Sequence, residues 1–252
     1  MAKESANDMV NDLRAFSRLL EHFKFKEHKC IELEQLEKVI EDIDNYTKSG
    51  KKNKKKVTVS IDDGGITFHT KTTGMTANPA TKEDKVDVFL TMNYELNFDE
   101  IELQDIMPSY NLNLMIKGVQ KNHWSPHYFS WHQDMQDEKD KGSKKSKYQL
   151  IHPLYHFHAG GSAIKTKGPG SLIMLGSPRL PHPPMDIILA INFVICNFFS
   201  TGEKRFEEEM KILDCDEYKK LLMKSAKRLY GPYYNEIMSK KDNSRFMPLV
   251  TT

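Results

Sequence analysis

Histidine and carboxylate side chains crowd into one part of the chain, and no other part offers as clear a chemical signal. Seven of the ten histidines (His123, His127, His132, His152, His156, His158 and His182) fall between positions 123 and 182, with Asp134 and Asp186 among or just beside them. The segments read Y-F-S-W-H-Q-D from Tyr128, I-H-P-L-Y-H-F-H-A-G-G from Ile151, and G-S-P-R-L-P-H-P-P-M-D from Gly176. Neutral imidazole nitrogens and a carboxylate are the donor set of a divalent metal such as zinc, manganese, iron or nickel. His152, His156 and His158 are the expected ligands. Three ligands with a position left open would activate a water for hydrolysis. His132, oriented by Asp134, and His182 are the expected catalytic groups, and Arg179 is placed to bind an anionic substrate group in a two-pronged fashion.

The same residues have a metal-free reading, with His132–Asp134 or His182–Asp186 as base and orienting carboxylate and His156 and His158 as an acid–base pair on a phosphodiester. Gly160 and Gly161 would then let backbone N–H groups approach a phosphate. They also have a purely structural reading, in which the imidazoles pack among Trp124, Tyr128, Phe129, Trp131, Tyr148, Tyr155 and Phe157 and donate to backbone carbonyls. A shared cluster depends on strand parity and on register. Alternate side chains share a face, so His152, His156 and His158 go together, as do Tyr128, Ser130, His132 and Asp134. Pairing His132 opposite His152 puts both sets on one face, and a slip of one residue separates them. Pro153 interrupts the ladder and suggests an edge or a bulge.

His156-Phe-His158, followed by G-P-G-S-L-I-M-L-G-S-P-R-L-P-H from Gly168, resembles the motifs of the cupins. In that family of small β-barrels an H-x-H pair precedes a ligand glutamate, and a proline-rich turn ends at another ligand histidine. The resemblance covers about thirty residues. It implies His156, His158 and His182 as ligands, whereas A-G-G-S-A-I-K follows His158 and supplies no acidic ligand.

The elements that must hold these residues are mixed. Met9, Val10, Leu13, Phe16, Leu19, Leu20 and Phe23, then Ile31, Leu33, Leu36, Val39, Ile40 and Ile43, recur at helical spacing and predict an antiparallel helix pair over 1–48. Ser5 or Asn7 is the expected cap. From Val57 the period becomes two. Val57–Ile61 and Ile66–Thr70 predict a hairpin about Asp62-Asp-Gly-Gly65. Strands are expected at 86–90, 94–98, 111–119, 126–134, 147–158 and 171–175, with a short helical turn at 99–106. After Asp186, an expected N-cap, helices run on: an apolar one over 187–199 with Cys196 in its core, a charged stretch over 203–213, and 217–229, stopped by Gly231-Pro232. The whole reads as a single α+β domain: a mostly antiparallel sheet or partly closed barrel over 57–176, flanked by N-terminal helices and by C-terminal helices over 186–240.

Composition narrows the function classes. With 37 basic and 35 acidic residues the chain lacks the basic excess of a general nucleic-acid binder. The three cysteines are far apart, form no Cys-x-x-Cys pair, and fit a reducing compartment. No segment reads as a secretory signal or a membrane span, so a cytoplasmic protein with no membrane contact is expected. G-x-x-x-x-G-K-[ST], G-x-G-x-x-G and G-x-S-x-G are all absent, which argues against P-loop, dinucleotide and α/β-hydrolase chemistry. The function expected is a hydrolase with a histidine-rich site, metal-dependent or not, acting on a phosphate ester or other anionic substrate. The alternative is a non-catalytic accessory module. It would bind nucleic acid through Lys51–Lys56, Lys139–Lys147 and a basic face at Lys219, Lys220, Lys224, Lys227 and Arg228, or a protein partner through its helices.

Overall fold

Ser5 opens the first helix, α1 (Ala6–His22), through a capping box. Its hydroxyl accepts from the Asp8 N–H while the Asp8 carboxylate accepts from the Ser5 N–H. Helix α2 (Glu34–Lys48) packs beside it, and their apolar stripes, including Leu13, Phe16, Leu36 and Ile40, are buried as the helical spacing predicts. The computed structural model describes residues 5–49, 55–70, 85–119, 127–135, 155–160, 180–199 and 206–239. Expected features that fall on other residues lie outside this set: the Lys139–Lys147 tip, the strand at 171–175, His152 and Arg179.

Strands β1 (Lys56–Thr70), β2 (Lys85–Asn97), β3 (Tyr110–Val119), β4 (His127–Met135), β5 (Tyr155–Ala159) and β6 (Leu180–Pro181) form an antiparallel sheet in chain order. Among the described residues each strand pairs with its neighbour in the chain, and the sheet is open. That distinguishes it from the closed small barrel implied by the cupin resemblance. The α+β class stands.

The hairpin expected at 57–70 is instead one long strand. Ile61 pairs with Met92 and Ile66 with Leu90, so five steps along β1 answer two along β2. The extra residues, Asp62–Gly65, bulge out. Their surplus is odd, so it switches which parity faces inward. Val57, Val59 and Ile61 before the bulge, and Ile66 and Phe68 after it, are all buried. Folding back on itself would leave these side chains without β2, whereas the bulge lets both halves use it. Gly65, at φ 62°, makes this fit: a Cβ there would lie 2.6 Å from the Leu90 carbonyl oxygen. The segments expected as separate strands at 86–90 and 94–98 are likewise the one strand β2.

Helices α3 (Leu103–Ile106), α4 (Ile187–Phe198), α5 (Glu207–Met210), a 3-10 turn (Lys211–Asp214) and α6 (Asp216–Ser239) are the remaining elements among the described residues. Asp186 caps α4 by accepting from the Leu189 N–H at 3.0 Å. One face of the sheet (Leu90, Met92, Tyr94, Leu112, Leu114, Tyr155 and Phe157) shares a single hydrophobic core with the helices. Cys196, expected inside this core, is exposed: α4 turns Cys196 and Asn197 outward. Pro232 does not end α6, which runs on to Ser239. A proline costs the helix one backbone hydrogen bond, and Tyr233, 2% exposed, continues the buried stripe of Leu229 past it. Among the described residues no helix is long and apolar enough to cross a membrane.

Candidate functional site

The register between β4 and β5 brings the two histidine sets together. His132 lies opposite His158 and Asp134 opposite His156. This differs from the expected pairing of His132 with His152 by an even number of residues, so parity survives and all four side chains share a face. That face lies opposite the helices, because the intervening Trp131, Gln133, Tyr155 and Phe157 point into the core side.

The four groups are in contact. His132 Nε2 is 3.4 Å from Asp134 Oδ2, and His156 Nε2 is 3.0 Å from Asp134 Oδ1. The rings of His132 and His158 have centres 3.5 Å apart, and His156 stacks on His158 at 5.2 Å. One donor atom each from His132, Asp134 and His158 falls within a sphere of contacts no longer than 4.8 Å. Among the buried polar atoms on this face, Asp134 Oδ1 has only its ion-pair contact with His156, and two others, His132 Nδ1 and Ser130 Oγ, have no hydrogen-bond partner among the described residues. An unpaired buried donor or acceptor is costly, and here the two lie on neighbouring positions of one strand face.

Electrostatics set the charge states of the cluster. Burial alone would raise the Asp134 carboxyl, but the imidazoles of His132 and His156 outweigh it and hold the group well below the usual carboxylate range. Burial, aided by the neighbouring imidazoles, pushes His158 below the ordinary histidine value, against a contact of its Nδ1 with the Ala159 carbonyl at 3.2 Å. Asp134 is therefore an anion and His158 a neutral imidazole near neutral pH. That is the protonation state of a metal ligand pair.

The other expected site residues are placed elsewhere. His182 lies across the sheet: the Gln133 amide donates to its carbonyl at 3.0 Å, and its ring sits 6.0 Å from that of Phe157. Its Nδ1 approaches the Pro183 carbonyl at 2.6 Å. An N–H donated there fixes the tautomer and leaves Nδ1 no lone pair for Gln133. Asp186 is buried, caps α4 and pairs with Arg228 at 3.3 Å. Burial raises its carboxyl, partly offset by that guanidinium. Neither residue reaches the cluster, so the shell expected from the proline-rich segment does not assemble there. Gly160 is equally engaged, its N–H donating to the Ser130 carbonyl at 2.8 Å. The basic face of α6 is partly spent within the fold, since Lys224 and Arg228 pair with Asp12. Lys219, Lys220 and Lys227 remain exposed.

Sequence reasoning missed two residues. Gln133, wholly buried between His132 and Asp134 in sequence, accepts from the Tyr110 hydroxyl at 2.7 Å and donates to Pro183 O at 2.8 Å. It ties β4 to β3 and to the segment before α4. A glutamine between two polar residues of the opposite parity in a strand was the available signal, because its parity forces it inward. Ser130 was seen only as sharing the face of His132; its burial and lack of a partner come from the tertiary structure. No protein-family model, curated protein or solved structure matches the chain, so the site rests on its own geometry.

Proposed function

We propose that the chain is a hydrolase of phosphate esters or related anionic substrates, with a divalent metal held by His132, Asp134 and His158. The observation that carries this reading is the convergence of two imidazoles and one carboxylate within 4.8 Å on one sheet face. Zinc, manganese, iron or nickel suits these donors. A metal held by three protein ligands polarises a phosphoryl oxygen and lowers the pKa of water.

The remaining work falls to the chain. Asp134 supplies negative charge across the physiological pH range, and His156 steadies its second oxygen from 3.0 Å. The Ser130 hydroxyl lies buried on the same face, without a hydrogen-bond partner among the described residues. In the reaction a water oxygen bonds to phosphorus, the ester P–O bond breaks, and the water proton ends on the departing oxygen. His152 and Arg179, expected as a third imidazole and an anion clamp, stay part of the proposal through the sequence alone.

Elemental mass spectrometry on protein purified without a histidine tag tests it, before and after chelator dialysis and after incubation with each of the four metals. Stoichiometric metal is expected in the wild type and a loss in Asp134→Asn and His158→Ala, with circular dichroism showing that both variants remain folded. Hydrolysis of bis(p-nitrophenyl) phosphate should follow metal content. No uptake of any of the four metals by folded wild-type protein overturns the metal centre.

A further inference from the structure

A cleft of about 340 Å³ opens on the same sheet face as the histidine cluster, and its lining residue Asn113 pairs across strands with His132. Cross-strand registers lay it out in rungs. Thr91, Asn113, His132 and His158 form one rung, and Phe89, Met115 and Ser130 the next. Asp87, Lys117 and Tyr128 form the third. The bulge of β1 closes one side, with Gly64 at the rim. Asn113 thus belongs both to the cleft wall and to the rung that carries two of the three proposed ligands.

The lining has a specific chemistry. Phe89 and Tyr128 offer flat rings, and Met115 between their strands offers a polarisable floor. Lys117 forms no ion pair among the described residues. Its neighbour Asp87 is already engaged by His69 Nδ1 at 2.7 Å. Asn113 uses one N–H on Asn111 at 2.7 Å and keeps its carbonyl oxygen and second N–H. Ser130, buried and without a partner among the described residues, shares the rung of Phe89, one step from the cluster. A cation, two stacking surfaces and a free amide suit a phosphate joined to a flat, hydrogen-bonding ring.

Spacing extends the argument. Four residues of strand separate Tyr128 from His132, about 13 Å. The Lys117 side chain is long enough to shorten that gap at its charged end. A substrate bridging the two ends therefore needs one anion at the cluster, a ring in the middle, and a second anion beyond it. We infer that the substrate is a dinucleotide unit of single-stranded nucleic acid. Its scissile phosphodiester lies at the histidine cluster, a base lies between Phe89 and Tyr128, and the adjacent phosphate lies at Lys117.

This inference rests on the hydrolase reading for its direction, but binding tests it separately. Calorimetry on chelator-treated full-length protein would compare the thymidine dinucleotide TpT with its 5′- and 3′-phosphorylated forms, pTpT and TpTp. One phosphorylated form should bind about tenfold more tightly than TpT, equivalent to about 1.4 kcal/mol. Lys117→Ala should erase that difference, and Tyr128→Leu should weaken all three ligands. Rising salt should reduce the preference. Equal affinity of the three ligands, or a preference untouched by Lys117→Ala in a folded variant, overturns the inference. Metal uptake without such binding leaves the hydrolase reading intact and removes the substrate. Dinucleotide binding with no metal uptake does the reverse.

Discussion

Replacing Gln133 by leucine should destabilise the fold far more than its unremarkable place in the sequence implies. The side chain is 0% exposed and spans three partners: it accepts from Tyr110 and donates to the carbonyls of His182 and Pro183. Leucine fills nearly the same volume, so the cavity term is small. After the change the Pro183 carbonyl keeps the His182 ring N–H, and the Tyr110 oxygen still accepts from the Met185 N–H at 3.1 Å. The Tyr110 O–H and the His182 carbonyl lose their Gln133 contacts. Each buried orphan costs about 1–3 kcal/mol, and a gain from burying leucine offsets part of it. The expected net loss is about 2–4 kcal/mol. Urea unfolding followed by circular dichroism measures it, with a midpoint shift at unchanged slope. A double-mutant cycle with Tyr110→Phe should show a coupling of at least about 0.5 kcal/mol. A loss below about 0.5 kcal/mol for Gln133→Leu alone would refute the claim that this amide fastens β4.

Arg228→Met should cost about 3–5 kcal/mol, because it strips the counter-charge from the buried Asp186 carboxylate; adding Asp186→Asn should recover part of that loss in the same unfolding assay. Acid should also weaken the fold through His182, whose pKa is pushed below the ordinary 6.5 by burial despite its contact with the Pro183 carbonyl. The unfolded chain then binds this proton more readily, so the stabilisation is complete above 6.5 and is lost as pH falls through the lower folded value. Urea midpoints measured from about pH 7.5 to about pH 5 should decline, and His182→Asn, which keeps an N–H for Pro183, should flatten that decline.

Much of the fold could be read from periodicity because helices and strands bury opposite kinds of pattern. The stripes at Leu13, Phe16 and Leu20, and at Leu36, Val39 and Ile43, can be buried only as helices. The Asp186 cap before an apolar run marks the start of α4 for the same local reason. The bulge at Asp62–Gly65 reads locally as a hairpin turn, since Asp-Gly-Gly suits both. Only the competition of both halves for β2 selects the bulge. Cys196 and Pro232 were misread similarly: which side of α4 faces water, and whether Tyr233 finds a core beyond the proline, depends on neighbours far away in sequence.

The candidate site divides along the same line. Sequence alone determined that His132 and Asp134 share one strand face and that His156 and His158 share another, because alternation is a property of the single strand. Whether those faces coincide was beyond it, since register is a relation between two strands. The pairing of His132 with His158 and Asp134 with His156 decided it, anchored from the opposite face by Gln133. Tertiary structure also decided that His182, close to the pattern in sequence, lies on the far side of the sheet. A sheet one residue thick separates its faces completely, so nearness along the chain carries no information about which side a residue occupies.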